Sequence, residues 1–213
     1  GAVVLSLGCE RNNLAQFFEE EGLAEGKMLR TITMQHVGGT ARAIAEGKDA
    51  VREMLDQANA VHREPCSAEH ITIGMQCGGS DGYSGITANP ALGVASDLLV
   101  RHGGTSILSE TSEIYGAEHL LTRRAINEPT GRKLIDLIEW WEDYTARNYG
   151  QMDNNPSPGN KRGGLTTILE KSLGAVAKGG TAPLAGVYKY AEPIDAPGFV
   201  FMDSPGYDPC SVT

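Results

Sequence analysis

Polar side chains and glycines are concentrated in one segment, from Gly74 to Pro90. The apolar residues just before it predict a β-strand, and Asn89-Pro90 predicts the start of a helix with Asn89 as its N-cap. Ligands of open α/β sheets bind beyond the carboxyl ends of strands, and the N–H groups at a helix N-terminus favour anions. The segment therefore predicts a binding site, with the candidate residues Cys77, Ser80, Asp81, Ser84 and Asn89.

The same segment contains the pattern Gly78-x-Ser80-x-Gly82, which fits the nucleophile elbow of serine hydrolases. A predicted strand precedes Ser80, as the elbow requires. The elbow also needs a helix directly after the serine, whereas residues 83–88 intervene here with further turn signals. A hydrolase that uses Ser80 as its nucleophile is kept as an alternative function.

A second group of reactive side chains follows the first predicted strand, in Gly8-Cys9-Glu10-Arg11-Asn12. The thiolate of Cys9 and the carboxylate of Glu10 could bind a divalent metal or position a substrate. A buried cysteine and a carboxylate that caps a helix N-terminus would give the same spacing. The spacing alone is compatible with both interpretations.

Carboxylates also flank the end of the predicted strand Thr105–Leu108. Glu110 follows this strand, Glu113 comes shortly after, and Glu118-His119 lies in the next predicted helix. Carboxylates and histidines are the usual general acids and bases of enzymes, so Glu110 and His119 are candidates for proton transfer. A solvated Glu118 beside a half-buried His119 is the alternative.

The loop Asp153–Lys161 is dense in polar groups and offers amides, a hydroxyl and a cation. Asn155, Asn160 and Lys161 have groups that can form hydrogen bonds with the hydroxyls and the carboxylate of a sugar acid. A solvated linker would also be rich in Asn, Pro and Gly, so composition does not decide between them. Glu170 and Lys171 follow in a predicted helix, where we expect them to face water.

Short apolar runs alternate with amphipathic stretches along the whole chain, which predicts the α/β class with parallel-type sheet segments and flanking helices. Residues 63–65 resemble a linker, so two partial domains are predicted, 1–64 and 65–213. Helices are predicted near residues 12–21, 39–61, 89–101, 114–124, 130–148 and 165–176. In the fifth of them Trp141 shares a stripe with Leu134 and Ile138, which predicts a core position.

The bulk composition limits the class of partner. The net charge of −9 argues against a nucleic-acid surface, which needs a basic face. No apolar run approaches the ~20 residues of a membrane helix, and no signal peptide is recognised. The four cysteines form no Cys-x-x-Cys pair, as expected of reduced thiols in a cytoplasmic protein.

Long motifs of the chain resemble the altronate dehydratase branch of the altronate/galactarate dehydratase family. They cover nearly the whole chain and are more specific than a lone glycine pattern. The motifs are Gly8-Cys9-Glu10-Arg11-Asn12, the run from Gln76 to Pro90, Ser109-Glu110-Thr111 with Glu113–Glu118, Asn155–Lys161, Gly163–Gly174 and Asp203-Ser204-Pro205-Gly206-Tyr207.

The resemblance implies a cytoplasmic, metal-dependent hydro-lyase that removes water from an aldonic or aldaric acid, such as D-altronate, to give a 2-keto-3-deoxy acid. The implied cofactor is a divalent metal, Fe²⁺ first and Mn²⁺ as an alternative, and a homo-oligomer is possible. Family members are longer at both ends, so residues 1–64 would be the back half of a second domain and 65–213 the front of a C-terminal domain. A non-catalytic module of a larger enzyme is therefore a further alternative.

Residue roles follow from the resemblance as hypotheses. Cys9, Glu10 and Cys77 would take metal positions, with Asp81 at a catalytic position next to the metal. Glu110 and His119 would transfer protons. Substrate hydroxyls and the carboxylate would be held by Ser80, Ser84, Asn89, Asn155, Asn160 and Lys161.

Overall fold

The computed structural model describes residues 1–11 and 13–211. The chain divides into two compact units, of which the first is Gly1–Pro65 and the second begins at Cys66. The predicted helix start at Asn12 lies outside the described residues. The assignment of the two units to parts of larger domains stays a prediction.

The first unit is a two-stranded parallel sheet with flanking helices. Strand β1 pairs with β2 in the register Ala2↔Leu29, with helix α1 as the crossover that parallel pairing requires. The side chain of Asn13 caps α1 by accepting the N–H groups of Ala15 and Gln16. The elements are β1 Ala2–Ser6, α1 Leu14–Glu20, β2 Leu29–Thr33, α2 Met34–Val37 and α3 Thr40–Asn59.

The second unit is built on a four-stranded, wholly parallel sheet in the order β3-β4-β6-β5. Its strands are β3 Thr72–Met75, β4 Thr105–Leu108, β5 Leu184–Tyr188 and β6 Gly198–Met202. Its helices are α4 Ala88–Arg101, α5 His119–Thr122, α6 Glu128–Arg147, α7 Pro158–Arg162, α8 Ile168–Ala177 and α9 Asp208–Ser211, with 3-10 turns at Ala68–His70 and Thr111–Glu113. The predicted α/β class with parallel sheets is confirmed.

The hydrophobic core of the second unit lies between the sheet and its helices. Leu108, Phe199 and Phe201 of the sheet are almost completely buried, and so are Leu134 of α6 and Leu184 of β5. Strand β6 is apolar along its length because helices cover a parallel sheet on both faces. This core fixes the strand ends, and therefore the loops that follow them.

The carboxyl ends of β3, β4 and β6 lie side by side at one edge of this sheet. Cys77 follows β3, Glu110 follows β4 and Asp203 follows β6. Three segments that are far apart in sequence are thus brought together where ligands of open α/β sheets bind.

Two predicted helix starts are wrong. Helix α4 begins at Ala88 with Thr87 at the N-cap, and Asn89 instead donates from Nδ2 to the Gly174 carbonyl, 2.9 Å away. Pro90 is still tolerated, since the N–H groups of the first helical turn have no hydrogen-bond partner within the helix, and a proline there loses no bond. The long helix predicted from Ile114 is reduced to α5, because Gly116 adopts a left-handed φ of 85° that interrupts the helical path.

None of the helices within residues 1–11 and 13–211 is long and apolar enough to cross a membrane.

Candidate active site

A cavity of about 530 Å³ opens at the carboxyl edge of the second sheet. Its wall combines the loops after β3 and β4 with α6, the loop before α7, and α8. Among the side chains that line it are the thiol of Cys77, the carboxylates of Glu110 and Glu113, the amides of Asn155 and Asn160, and the ammonium of Lys171.

A buried ion pair between Glu113 and Lys171 forms one side of the cavity. The Lys171 Nζ atom lies 2.8 Å from Glu113 Oε2 and donates a hydrogen bond to Oε1 at 3.1 Å. Of the two Glu113 oxygens, only Oε1 has hydrogen-bond geometry with Lys171, so Oε2 interacts with the ammonium through charge alone. The side chains are 6% and 8% exposed, so water screens their attraction little. The prediction that Lys171 faces water is wrong.

Two asparagines complete the surroundings of this ion pair. Asn155 donates from Nδ2 to Glu113 Oε1 at 3.1 Å and accepts from Lys171 Nζ at 2.9 Å. Asn160 Oδ1 lies 3.4 Å from Lys171 Nζ, and its Nδ2 donates to the Ser80 carbonyl at 2.8 Å. The network ties the loop before α7 to α8 and to the segment that contains Ser80.

Glu110 is the second buried carboxylate of the cavity, with 2% of its surface exposed. Its Oε2 atom accepts a hydrogen bond from the Cys77 N–H at 2.5 Å. Its backbone has φ 71° and ψ 78°, in the left-handed region that residues other than glycine rarely adopt. Strain of this kind costs about 1–3 kcal/mol and collects at functional sites.

The side chains of Cys77, which lines this cavity, and Ser80, which lines the smaller cavity described below, are in contact. The Cys77 Sγ and Ser80 Oγ atoms are 2.9 Å apart, and either can be the donor. Cys77 is partly buried and lines the cavity, so its thiol is accessible to a ligand.

Asp81, Ser84 and Asn89 line a neighbouring, smaller cavity of about 260 Å³. The Asp81 carboxylate accepts the N–H groups of Tyr83 and Ser84, each at 2.8 Å, and these bonds lower the pKa of Asp81. The carboxylate therefore stabilises the turn in which it lies. Lys171 lines both cavities.

Two predicted site residues of the second unit are not part of the cavity wall. His119 and Lys161 are exposed and do not line it. Trp141, which we predicted to be a core residue, lines the cavity and is only partly buried; its Nε1–H donates to Asp203 at 2.7 Å.

Cys9 and Glu10 belong to the first unit, where Cys9 is exposed. The Glu10 carboxylate accepts the N–H groups of Leu7, Gly8 and Cys9 at 2.7–3.0 Å. Hydrogen bonds from backbone N–H groups, its own foremost, lower the pKa of Glu10. Within the described part of the chain, no three Cys, His, Asp or Glu side chains form a set that could hold a metal ion. These residues therefore do not fit a metal by themselves.

The nucleophile elbow is not formed around Ser80. The next helix begins only at Ala88, and Ser80 Oγ contacts the thiol of Cys77. All five histidines are exposed, and none lines the smaller cavity beside Ser80. The histidine base of a serine hydrolase triad is therefore not placed at Ser80.

The chain matches two family models, which together account for both units. Residues 68–213 match the model described as D-galactarate/Altronate dehydratase, C-terminal, and residues 1–59 match D-galactarate dehydratase/Altronate hydrolase, second domain. The chain belongs to the galactarate/altronate dehydratase family. The motif-based resemblance is thereby confirmed.

Three relatives show what this dehydratase-family chain is similar to. It is 40% identical over 208 residues to altronate dehydratase of Bacillus subtilis, which covers 98% of the chain and 41% of the relative. It is 38% identical over 214 residues to galactarate dehydratase (L-threo-forming) of Escherichia coli, a match that covers 97% of the chain and 40% of the relative. It is 36% identical over 169 residues to (2R)-sulfolactate sulfo-lyase subunit beta of Chromohalobacter salexigens, a match that covers 78% of the chain and 43% of the relative. The chain thus spans about two fifths of the length of these relatives.

Sequence reasoning missed Lys171 although a signal for it exists. Lys171 shares one face of α8 with the buried residues Ser172 and Ala175. A charge on the buried face of an amphipathic helix is paired or functional, because an unpaired buried charge is too costly.

Proposed function

We propose that this chain supplies the proton-transfer groups and the hydroxyl-binding wall of a sugar-acid dehydratase. The reaction would convert an acid such as D-altronate to a 2-keto-3-deoxy acid and water. The observation that carries the proposal is the pair of buried carboxylates, Glu110 and Glu113, in one cavity beside Lys171. The names of the altronate and galactarate dehydratase relatives support the reaction class.

Dehydration requires a base for the weakly acidic hydrogen on C2, next to the carboxylate. Glu110 fits this role, since its carboxylate is buried at the cavity and held in place by the Cys77 N–H. A positioned base accelerates proton transfer by about 10²–10⁴-fold. The proton taken from C2 passes to Glu110, and the electron pair of the C–H bond forms the C2–C3 double bond of an enol.

The hydroxyl on C3 needs a proton or a strong hydrogen bond in order to leave. Lys171 fits this role because its ammonium has three N–H donors. Two of them point to Glu113 and Asn155, and the third faces Asn160 at 3.4 Å, a long contact that a substrate hydroxyl can replace. Glu113 and Asn155 hold the ammonium toward the cavity. The ammonium gives one proton to the C3 hydroxyl, the C3–O bond breaks, and water leaves while Lys171 remains as the amine; the enol then rearranges to the 2-keto acid.

The remaining wall is suited to the hydroxyl groups of the substrate. Asn155 and Asn160 line the cavity together with Ser112, Thr145 and Gln151, whose amides and hydroxyls can donate and accept. The proposed contacts of Ser80, Ser84 and Asn89 with the substrate would use the neighbouring smaller cavity.

We retain a divalent metal, Fe²⁺ or Mn²⁺, as a proposed cofactor. The two carboxylates and the one ammonium of the cavity sum to −1, so a further positive charge would help it to accept an anionic acid. Of the proposed ligands Cys9, Glu10 and Cys77, the last lines this cavity, and further ligands would have to come from elsewhere. When bound, such a metal would act as a Lewis acid on the substrate carboxylate.

The cytoplasm is the proposed location. Cys9, Cys66, Cys77 and Cys210 are all free, as thiols are in a reducing compartment.

The test is an assay for 2-keto-3-deoxy acids with a panel of aldonates and aldarates. The protein in its full-length form, reduced and loaded with iron(II), is run with and without a chelator, and this 213-residue chain is run beside it. Chelator-sensitive turnover of one acid by the full-length form supports the proposal. If the full-length form turns over and the chain does not, the chain is a module that needs the rest of the enzyme. No turnover by either contradicts the proposed reaction.

A further inference from the structure

The segment Asp203–Gly206, after β6, runs alongside the segment Glu110–Glu113, after β4. Ser204 makes two hydrogen bonds to the segment after β4. Its Oγ accepts the Glu110 N–H at 3.0 Å, and its carbonyl accepts the Thr111 N–H at 3.1 Å. Ser204 is 2% exposed, so both bonds are shielded from water. The backbone N–H groups of Glu110 and of the residue after it are therefore both held by one residue of the segment after β6.

Asp203 adds a second attachment. Its Oδ1 atom accepts the Thr111 hydroxyl at 2.5 Å and the Trp141 Nε1–H at 2.7 Å. The carboxylate thus joins the loop after β4 to helix α6, which also lines the cavity. Charge-assisted hydrogen bonds of this kind are about twice as strong as neutral ones.

Gly206 continues the contact as far as Glu113. A side-chain carbon built on Gly206 would lie 2.9 Å from Ser112 Oγ and 3.2 Å from Glu113 Oε1. A side chain at this position would therefore require the Ser112 hydroxyl to shift and would crowd the Glu113 carboxylate, so the glycine leaves room for both groups beside the segment after β6. Asp203–Gly206 consequently contacts both residues that carry the carboxylates of the cavity.

We propose that Asp203–Gly206 is the positioning segment of this site: it fixes the conformation of Glu110 and the place of Glu113 without touching the substrate's reacting atoms itself. Left-handed backbone at Glu110 is stable only where its surroundings impose it. Ser204 and Asp203 impose it here. The kinetic part of this inference rests on the proposed dehydratase function, whereas the structural part does not.

Ser204→Ala removes the acceptor for the Glu110 N–H while keeping the backbone acceptor for Thr111. The first readout is amide hydrogen exchange at Cys77, whose N–H donates to Glu110 and therefore reports the position of that carboxylate. We expect exchange at Cys77 to accelerate about tenfold, because its hydrogen bond is lost more often. The second readout is turnover: kcat falls by about 10²-fold, the effect of a misplacement of about 1 Å, with little change in KM.

The matched control is Ser96→Ala, which removes another fully buried serine hydroxyl, bonded to Ser106 and away from Glu110. It should lower stability without changing exchange at Cys77 or kcat. Thr111→Val is a second variant in case Ser204→Ala does not fold; it keeps the side-chain shape and removes the hydroxyl bond to Asp203.

The inference is overturned if Ser204→Ala, or Thr111→Val in its place, behaves like Ser96→Ala in both readouts. If the unmodified protein turns over no sugar acid, the proposed function fails and exchange at Cys77 alone decides. Faster exchange in the variant then still supports the positioning segment, and unchanged exchange overturns it.

Discussion

At the scale of single residues, the ion pair between Glu113 and Lys171 has the largest consequences for stability. Each charge is buried and each has the other as its counter-charge. Removal of one partner from such a pair leaves a charge that water cannot reach, whereas removal of both charges leaves none.

Lys171→Met should lower the free energy of unfolding by about 3–5 kcal/mol, and the double variant with Glu113→Gln should recover much of that loss. Urea unfolding measures both. Arg132→Met is the control, because its pairs with Asp136 and Glu139 are more than half exposed; it should cost at most about 1 kcal/mol. Equal losses for Lys171→Met and Arg132→Met would contradict the buried pair.

Asp97 links stability to pH. Burial raises the pKa of Asp97, but hydrogen bonds from the Thr181 hydroxyl and N–H and from the Ala182 N–H, with the charge of Arg124, lower it below its usual value. A carboxyl with a lowered folded-state pKa stabilises the protein above its unfolded pKa of about 3.9 and loses that contribution as the pH falls through the folded value.

Asp97→Asn should therefore be less stable than the unmodified protein near neutral pH, and the difference should shrink below about pH 4. Urea unfolding at a series of pH values follows the difference. A gap that stays constant down to about pH 3 would show that the charge of Asp97 does not contribute.

At the scale of secondary-structure elements, helices α4 and α8 are brought together by a glycine. A side chain on Gly93 of α4 would collide with the Ala177 carbonyl oxygen, at the end of α8. Close backbone packing of this kind fixes α8, and with it Lys171.

Gly93→Ala should destabilise the second unit by about 1–3 kcal/mol through overpacking. Gly131→Ala in α6 is the matched control: it is also buried, but its added carbon would meet Ala125 Cβ at an ordinary 3.6 Å. This control should be neutral or gain up to about 1 kcal/mol from reduced backbone entropy. Thermal unfolding of the two variants would refute the packing argument if Gly93→Ala were as stable as Gly131→Ala.

The sequence predicts these elements better than it predicts their arrangement. Alternating apolar runs were sufficient for the strands and for the parallel α/β class, because a parallel sheet covered by helices needs such runs. They do not reveal that β6 lies between β4 and β5. Ser204 is 94 residues from Glu110 in the chain, so their hydrogen bond depends on a strand order that local patterns do not encode.

The sequence indicated cavity-lining residues where they directly follow strands. Cys77 and Glu110 were proposed for that reason, Asn155 and Asn160 for the density of polar groups in one loop, and all four line the cavity. Lys171 and Trp141 were missed because both lie on helices. Residues that face a cavity and residues that face the core recur with the same 3.6-residue period along a helix, so the sequence pattern does not distinguish them.

At the scale of the whole molecule, the two units differ in how much apolar surface they bury. The hydrophobic core lies within the second unit, whereas the described core residues of the first are Ile32, Ala43 and Met54. Several large apolar side chains of the first unit are exposed: Leu5, Leu7, Ile44, Val51 and Leu55.

We expect the first unit to open at lower urea than the second, since stability follows buried apolar area. Hydrogen exchange read by mass spectrometry along a urea series can follow each unit separately. Peptides from residues 29–59 should lose protection before those from β4 and β6. Simultaneous loss in both sets would contradict this order and show that the chain unfolds as one cooperative body.

We propose that the cavity at the carboxyl edge of the second sheet carries out the dehydration, with Glu110 as its base. The most direct test is Glu110→Gln in the full-length protein, with 2-keto-3-deoxy acid formation and substrate binding measured together. We predict that kcat falls by about 10²–10⁴-fold while binding is retained, because the amide keeps the shape and cannot take the proton. Glu139→Gln, on the exposed face of α6, should leave both unchanged. Turnover by Glu110→Gln at the rate of the unmodified enzyme would contradict the claim.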